Sequence, residues 1–198
     1  MDGNTFTDNI SPYVSPQFIK VYENIIPHSL CDDLIQKFES NQDQWETRNK
    51  LYSERNLSFK ELHFNKYWDT WKKDQENIIN ILMKQVKVYM SDFSKFCFPV
   101  NVGLEPFKMK KYEPNDIDEF GWHVDVNSRR NMERFLAFFL YLSDNEEGKT
   151  EFPYQNITTD CVKGSMVIFP PAWPWYHRGT KPIKVPKYFL GGYLTYVD

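Results

Sequence analysis

The feature that most constrains the fold is a series of short segments between residues 106 and 196. Each is rich in β-branched or aromatic residues, and turn residues separate one from the next. Short strands at this spacing are typical of an antiparallel β-sandwich or jelly roll. The predicted strands are 106–112, 120–126, 133–142, 150–155, 164–170, 175–179 and 187–196.

Two amphipathic helices are predicted before this series. In residues 28–40, after Pro27, the apolar side chains recur at helical spacing. A second apolar stripe extends from Trp68 to about Phe96, and Pro99 terminates it. We expect both helices to pack on one face of the sheet and to leave the other face free for a site.

The rest of the N-terminal part is less regular. Residues 16–26 read as a strand, and the polar stretch 41–66 reads as a loop with short strands that forms a plausible lid. The predicted fold class is therefore mainly β with N-terminal helices (α+β), a double-stranded β-helix or jelly roll buttressed by helices. We expect a single domain over 1–198, with the helical buttress at about 27–98 and the jelly-roll core at about 104–197.

Charge and composition exclude several classes of partner. The formal net charge is −3, which gives no electrostatic footprint for nucleic acid or an anionic membrane. No apolar run approaches the length of a membrane span, and the start MDGNTFTDN is not typical of a signal peptide. Three widely spaced cysteines do not indicate a disulfide framework. We expect a cytoplasmic protein; the oligomeric state stays open.

The stretch GWHVDVNS places His123 and Asp125 two positions apart in a predicted strand. Residues i and i+2 of a strand share a face, so both side chains can reach one point. This arrangement suits two ligands of one metal ion. The simple alternative is a hydrogen-bonded pair at the end of a strand. His177 lies in another predicted strand, and two histidines with one carboxylate suit non-haem Fe(II), with three coordination positions left open. A zinc hydrolase uses similar ligands, but the sequence has no His-Glu-x-x-His motif.

Lys187 begins the last predicted strand, KYFLGGYLTY, ten residues after His177. Alternation puts Lys187 on the same face as Phe189 and Tyr193. A lysine that points into the jelly roll requires an anion, and a dicarboxylate that chelates the iron at its other end would supply one. The alternative is a solvated lysine, because Lys181 and Lys184 lie nearby.

His123-x-Asp125, His177 and Lys187, in this order, resemble the 2-oxoglutarate and Fe(II)-dependent dioxygenases, specifically the prolyl 4-hydroxylase-like branch. KMKKYEPND precedes the His-x-Asp pair as that family's tyrosine-bearing strand does, and KGSMVIFP is similar to the strand before its distal histidine. The segment RFLAFFLYLSDNEEGKTEFP resembles a further family motif. It matches at Arg134, Tyr141, Leu142, Gly148, Thr150 and Phe152, and it departs from the motif at Ala137 and Glu147. Outside this segment, Tyr193 stands where the family usually has tryptophan.

The resemblance implies the cofactors and the roles of the site residues. The cofactors are Fe(II), 2-oxoglutarate and O2, with ascorbate as reductant, and the by-products are succinate and CO2. Lys187 would pair with the far carboxylate of 2-oxoglutarate, Tyr112 would hydrogen-bond to it, and Arg134 would contact the substrate. The implied iron ligands and catalytic residues are His123, Asp125 and His177.

The substrate is the least determined part of this prediction. The resemblance favours hydroxylation of a prolyl residue in a peptide or protein. The same chemistry on a free amino acid or another small molecule stays open, as does a different class, a non-catalytic jelly-roll module that only holds metal. Nucleic-acid demethylation is disfavoured because the chain is acidic and the last strand has a lysine where that branch has arginines. His28 and His63 show no ligand spacing and are interpreted as incidental.

Overall fold

The computed structural model describes residues 18–51 and 56–197, in which two α-helices lie among short antiparallel strands. Helix α1 is His28–Ser40 and helix α2 is Trp68–Ser91. No described helix is long and apolar enough to cross a membrane. The strands are β1 Lys20–Tyr22, β2 Glu46–Leu51, β3 Asn56–His63, β4 Val102–Leu104, β5 Lys108–Tyr112, β6 Glu119–His123, β7 Arg134–Tyr141, β8 Asn145–Phe152, β9 Ile157–Cys161, β10 Met166–Phe169, β11 His177–Gly179 and β12 Lys187–Tyr196.

The strands form one antiparallel sheet that folds back on itself. Neighbours follow the order β1-β10-β7-β12-β5-β3-β6-β11-β8-β9, with β2 added to β3 and β4 to β12. Strands far apart in this order face each other: Phe152 on β8 lies 5.0 Å from Phe169 on β10, centroid to centroid. His177 on β11 is also 5.0 Å from Phe169. The sheet is thus a jelly roll, and the predicted fold class is confirmed.

Alternation along the strands divides the apolar residues into two cores. On β7, Leu136, Phe138 and Leu140 belong to an outer core between the sheet and the helices. Ala137 and Tyr141, which alternate with them, belong to an inner core inside the jelly roll. Since successive side chains of a strand point to opposite faces, one strand contributes to both cores.

The two helices close the outer core, as the sequence predicted. Helix α1 buries Leu34 and Phe38, and α2 buries the apolar stripe that includes Trp71 and Leu82. Trp71 is fully buried, and its indole nitrogen donates to Gln44 Oε1 at 2.8 Å. The inner face of the sheet is thereby left free of helices.

The segment 41–66 is more regular than the predicted loop with short strands, and its role as a lid stays a prediction. Strands β2 and β3 form a hairpin, and β3 is built into the sheet because it pairs with both β5 and β6. Its polar composition was misleading because Phe59 and Leu62 are buried although two charged residues separate them, and one of these, Glu61, is buried as well. The turn residues 52–55 lie outside the described residues.

Several predicted boundaries are wrong. The first strand covers only Lys20–Tyr22, and residues 16 and 17 of the prediction lie outside the described residues. Helix α2 ends at Ser91 rather than near residue 96, because a separate 3-10 turn at Lys95–Cys97 begins with a cap at Ser94. Strand β6 ends at His123, and β4 and β9 were not predicted.

Candidate metal centre

Three side chains predicted as ligands converge inside the jelly roll. His123 ends β6 and His177 begins β11, and the two residues are direct partners in the antiparallel ladder. Their ring centroids are 4.2 Å apart. Asp125 lies beside both, with Oδ1 3.5 Å from His123 Nε2 and Oδ2 3.7 Å from His177 Nε2. One ligand atom from each residue fits within 4.8 Å of the others, which is close enough to hold one metal ion.

Asp125 reaches this point by a different route from the one predicted. It lies in a bend after β6 ends, not on the same strand face as His123. Its backbone oxygen accepts hydrogen bonds from Asn131 Nδ2 at 2.8 Å and from the Arg134 guanidinium at 3.1 Å. The Tyr193 hydroxyl donates to its Oδ1 at 2.6 Å. These three donors hold the bend so that the carboxylate faces the histidines.

Hydrogen bonds orient the two imidazoles. The Nδ1 atom of His123 lies 2.8 Å from the carbonyl oxygen of Gly121, and Nδ1 of His177 lies 2.9 Å from that of Trp175. An N–H on Nδ1 satisfies each carbonyl and leaves the lone pair on Nε2, toward the centre. The ring of His123 also stacks on Phe120 at 3.7 Å.

Two polar atoms at the centre are unsatisfied. Asp125 Oδ2 and His177 Nε2 are buried and find no hydrogen-bond partner among the described residues. Buried polar groups are almost always paired, so this pattern is expected of groups that wait for a bound ion. Two imidazole nitrogens and a carboxylate oxygen match the donor set of non-haem Fe(II), and the residues present fit that ion.

The electrostatics suit a cation. Burial lowers the pKa of His177 to about 4, so its ring is neutral near pH 7 and can bind metal. Burial alone would raise the pKa of Asp125, but the charge that His177 carries when it is protonated and the hydrogen bond from the Tyr193 hydroxyl outweigh it and lower the pKa. The carboxylate is therefore ionised at neutral pH.

The three side chains line a pocket that leaves about 460 Å³ free of protein atoms, with its mouth included. Lys187 lies in this pocket and is only 3% exposed. Its ammonium group lies 5.2 Å from the ring centre of Tyr141 and 5.3 Å from that of Phe189, and it forms no ion pair with a carboxylate of the described residues. Burial lowers the pKa of Lys187. The inward orientation matches the sequence-based expectation, and the side chain still lacks an anion.

Comparison with known families decides the class. Residues 107–195 match the model of the 2OG-Fe(II) oxygenase superfamily. These residues form a 2-oxoglutarate/Fe(II) oxygenase domain. The resemblance drawn from the motifs is confirmed, and Fe(II), 2-oxoglutarate and O2 are the cofactors of this dioxygenase class. No curated protein matches the chain in sequence.

Solved structures share the fold at low sequence identity. A collagen prolyl hydroxylase of Paramecium bursaria chlorella virus-1, in complex with 2-oxoglutarate, has a TM-score of 0.64 at 16% identity and covers 92% of this chain and 97% of its own. A Trichoplax adhaerens prolyl hydroxylase, bound to a hypoxia inducible factor peptide fragment, has a TM-score of 0.68 at 14% identity over 90% and 83%. A non-haem α-ketoglutarate-dependent epimerase of nogalamycin biosynthesis has a TM-score of 0.61 at 9% identity over 90% and 77%.

Tyr112, predicted to bind 2-oxoglutarate, lies in the pocket of the oxygenase domain. It is the ladder partner of Lys187 in the pairing of β5 with β12. Its hydroxyl is buried without a hydrogen-bond partner among the described residues, and burial raises its pKa well above the usual value. The Tyr112 hydroxyl therefore stays protonated and can donate a hydrogen bond to an acceptor near Lys187. Its role in binding 2-oxoglutarate stays a prediction.

Arg134, predicted to contact the substrate, does not enter the oxygenase pocket. It borders a second depression, the outer groove, which lies between the β2–β3 hairpin and parts of β5, β6, β7 and β12. Two guanidinium nitrogens of Arg134 each lie 2.8 Å from an oxygen of Glu105, and its Cζ lies 3.8 Å from the ring centre of Tyr193. Most of its donors are thus already used, and a direct substrate contact stays a prediction.

Sequence reasoning missed two residues of the site. Tyr193 was placed on the same strand face as Lys187 and noted as a departure from tryptophan, but no contact with the metal centre was predicted for it. Lys110 also lines the pocket. Alternation from Tyr112 places Lys110 on the same face of β5, and that signal was available in KMKKY.

A second group, Glu46, Glu61 and His63, also has the spacing for a metal ion. Glu61 lies 2.6 Å from Arg48 and 3.6 Å from Lys108, so cations of the chain already neutralise this cluster. His63 thus has a ligand spacing that the sequence did not show, but it does not line the metal pocket.

Proposed function

We propose that this chain hydroxylates an unactivated C–H bond of a prolyl residue in a peptide or protein. One atom of O2 would enter the product and the other would enter succinate, as 2-oxoglutarate loses CO2. The observation that carries the proposal is that one buried pocket contains Asp125 Oδ2 and His177 Nε2, which lack a hydrogen-bond partner, and Lys187, which has no ion pair among the described residues. The peptide complex of the Trichoplax structure supports a peptide substrate.

In this proposal His123, Asp125 and His177 hold Fe(II). The metal, when bound with 2-oxoglutarate and O2, supplies the oxidising chemistry that side chains lack. The chain fixes its geometry through the Nδ1 contacts of the histidines and the Tyr193 hydroxyl on Asp125. These outer contacts orient each ligand before the metal arrives.

Lys187 and Tyr112 would bind the far carboxylate of 2-oxoglutarate. The two residues are adjacent on paired strands, both are buried, and one supplies a cation and the other a hydroxyl donor. A buried cation without an anionic partner is unfavourable, so binding of the carboxylate removes a cost that the empty pocket carries. This explains how the pocket would select a dicarboxylate over a monocarboxylate.

The wall of the pocket excludes water from the reacting centre. Phe120, Phe139 and Phe189 line it together with the ring of Tyr141. Apolar walls limit solvent access and strengthen the electrostatic contacts made inside. A substrate side chain would approach the metal from the side of the pocket that borders the outer groove.

The experiment that tests the proposal is incubation of the purified chain with Fe(II), 2-oxoglutarate, ascorbate and proline-rich peptides. Succinate release and a gain of one oxygen on a peptide, located by mass spectrometry, are expected. His177→Ala should abolish turnover while the protein stays folded by circular dichroism, and Lys187→Ala should mainly raise the KM for 2-oxoglutarate. Full turnover by His177→Ala would show that the ligand assignment is wrong.

The same assay separates the alternatives. Hydroxylation of a free amino acid or another small molecule, with every peptide untouched, would replace the peptide proposal. The fold is shared with an epimerase of nogalamycin biosynthesis, so the fold alone does not decide the substrate. A metal-holding module would release no succinate at all. The need for ascorbate and the cytoplasmic location remain predictions.

A further inference from the structure

The outer groove adjoins the metal pocket. The two depressions share Lys110, Phe120, Phe139 and Tyr193 as lining residues. A substrate residue that enters the pocket therefore leaves its neighbours in the outer groove. The chemistry of the groove determines which neighbours are tolerated there.

The outer groove is basic in a chain that is acidic overall. Its described lining contains five basic residues against the two acidic residues Glu61 and Glu105, whereas the formal net charge of the chain is −3. Both acidic residues are already engaged in ion pairs with arginines of the groove. A surplus of positive charge in a concave surface attracts anionic ligands. The basic residues are Arg48, Lys50, Lys108, Lys110 and Arg134.

Lys110 holds the central position, at the junction of groove and pocket. It lies on β5, with Phe189 as ladder partner on one side and Glu61 on the other. Its ammonium group lies 4.6 Å from the ring centre of Phe59 and 5.2 Å from that of Phe120. The side chain is partly exposed, on the side where groove and pocket meet.

Lys110 has no ion pair of its own among the described residues. The carboxylate nearest to it in the ladder, Glu61, is bound by Arg48 at 2.6 Å, contacts His63 at 3.1 Å and lies 3.6 Å from Lys108. Burial lowers the pKa of Lys110 to about 8, which reflects the cost of its charge in this environment. An apolar side chain of the same length would pack between the rings without that cost.

Glu61 attracts Lys110, but Lys110 forms no close ion pair among the described residues and the cost of its burial is not offset, so an anionic ligand would stabilise it. Lys187 lies deeper in the pocket and is the predicted anchor of 2-oxoglutarate, so Lys110 is left for a different anion. We propose that Lys110 and the outer groove bind carboxylate side chains of an acidic peptide, next to the residue that is hydroxylated. This inference rests on the proposed function and adds the substrate class to it.

A peptide fits these observations better than a small carboxylic acid. Lys108 and Lys110 are two residues apart on one strand face, which corresponds to about 7 Å along an extended chain. Arg48 and Lys50 continue the basic lining on β2. An extended segment with several acidic residues would contact this row, whereas a single small acid would need Lys110 alone.

The test uses three peptides of equal length that differ only in the residues flanking one proline: glutamate, glutamine or lysine. Each is assayed for oxygen incorporation, and a fluorescent version is titrated into the anaerobic enzyme loaded with Fe(II) and 2-oxoglutarate. We expect a KM for the glutamate peptide about tenfold below that for the glutamine peptide, since close charge pairs at interfaces are commonly worth this much. The lysine peptide should bind most weakly, and added salt should reduce the difference.

Three variants assign the effect to Lys110. Lys110→Met should raise the KM for the glutamate peptide about tenfold more than it raises the KM for the glutamine peptide. Lys110→Arg keeps the charge and should restore most of the preference. Lys184→Gln removes an exposed lysine outside the groove and should change neither peptide. The melting temperature of Lys110→Met should stay equal or rise.

Each contrary outcome has its own meaning. Equal KM values for hydroxylated glutamate and glutamine peptides would overturn the inference and leave the proposed function intact. If Lys110→Met raises only the KM for 2-oxoglutarate, Lys110 binds the cosubstrate. If Lys110→Met has a much lower melting temperature, the role of Lys110 is structural. Either result overturns the inference. If no peptide is hydroxylated, the proposed function fails. Tighter binding of the fluorescent glutamate peptide, abolished by Lys110→Met, would then still support recognition of acidic peptides. Equal binding of the fluorescent peptides would overturn that inference as well.

Discussion

Replacement of Tyr193 by phenylalanine tests how the metal-binding carboxylate is oriented. The Tyr193 hydroxyl donates to Asp125 Oδ1 at 2.6 Å, while Oδ2 is buried without a partner and lies 3.7 Å from His177 Nε2. Burial and the neighbouring Asp125 charge raise the pKa of Tyr193 well above its usual value, so the hydroxyl is a donor at any ordinary pH. It thereby occupies one carboxylate oxygen and leaves the other for the metal.

The magnitude follows from this contact. A hydrogen bond to a charged group contributes about 1.5–3 kcal/mol, which corresponds to roughly a 10- to 150-fold change in an equilibrium constant. Loss of an outer hydrogen bond to a metal ligand typically costs about 10- to 100-fold in metal affinity. We therefore expect Tyr193→Phe to weaken Fe(II) binding by at least about tenfold. The ring that packs against Arg134 is retained, so the fold and the outer groove should be preserved.

The assay is an anaerobic titration with Fe(II) against a competing chelator, followed by turnover at saturating iron. Tyr196→Phe is the matched control, because Tyr196 ends the same strand, is exposed and packs only its ring on Phe135. It should bind iron as the unmodified chain does. A dissociation constant for Tyr193→Phe within twofold of the unmodified chain would refute the reasoning, since the hydroxyl would then not orient the carboxylate.

Three further outcomes are expected. In Gly148→Ala the new methyl group would lie 2.8 Å from Lys187 Cδ and 2.7 Å from Asn145 Oδ1, so the KM for 2-oxoglutarate should rise and the melting temperature should fall by several degrees, measured by kinetics and calorimetry. The unfolded chain binds more protons at His177 than the folded chain between about pH 6.5 and 4, so the metal-free protein should lose stability as pH falls through this window, and His177→Gln should lose less. Lys110, with its pKa near 8, loses its charge as pH rises, so kcat/KM for a glutamate peptide should fall above pH 8, whereas Lys110→Arg should keep it; an unchanged profile would contradict the role of this cation.

The histidine pair could be predicted because residue type and order carry the information. An antiparallel jelly roll brings two short strands side by side, and His123 and His177 are indeed ladder partners. Asp125 was placed correctly for a reason that proved wrong, since the backbone bends after His123 and outside donors hold the carboxylate in place. Spacing of two residues does not distinguish a strand from such a bend.

The residues that were missed share a physical cause. Alternation along KMKKY puts Lys110 on the face of Tyr112, but Lys108 shares that face, so the sequence did not show which of the two lysines reaches the pocket. The β2–β3 hairpin was taken for a mainly irregular stretch because its strands are polar. They are polar because one face borders a charged groove, which depends on long-range packing and not on local sequence.

The division of each strand between two cores separates the fold from its chemistry. On β12, Tyr188, Leu190 and Leu194 hold the sheet to the helices, while Phe189 and Tyr193 line the pocket. Substitutions at odd-numbered positions of this strand therefore leave its packing against the helices intact. Substitutions at even-numbered positions leave the lining of the pocket intact. A lineage built on this scaffold is free to acquire new substrates by exchanging every second residue of a few strands.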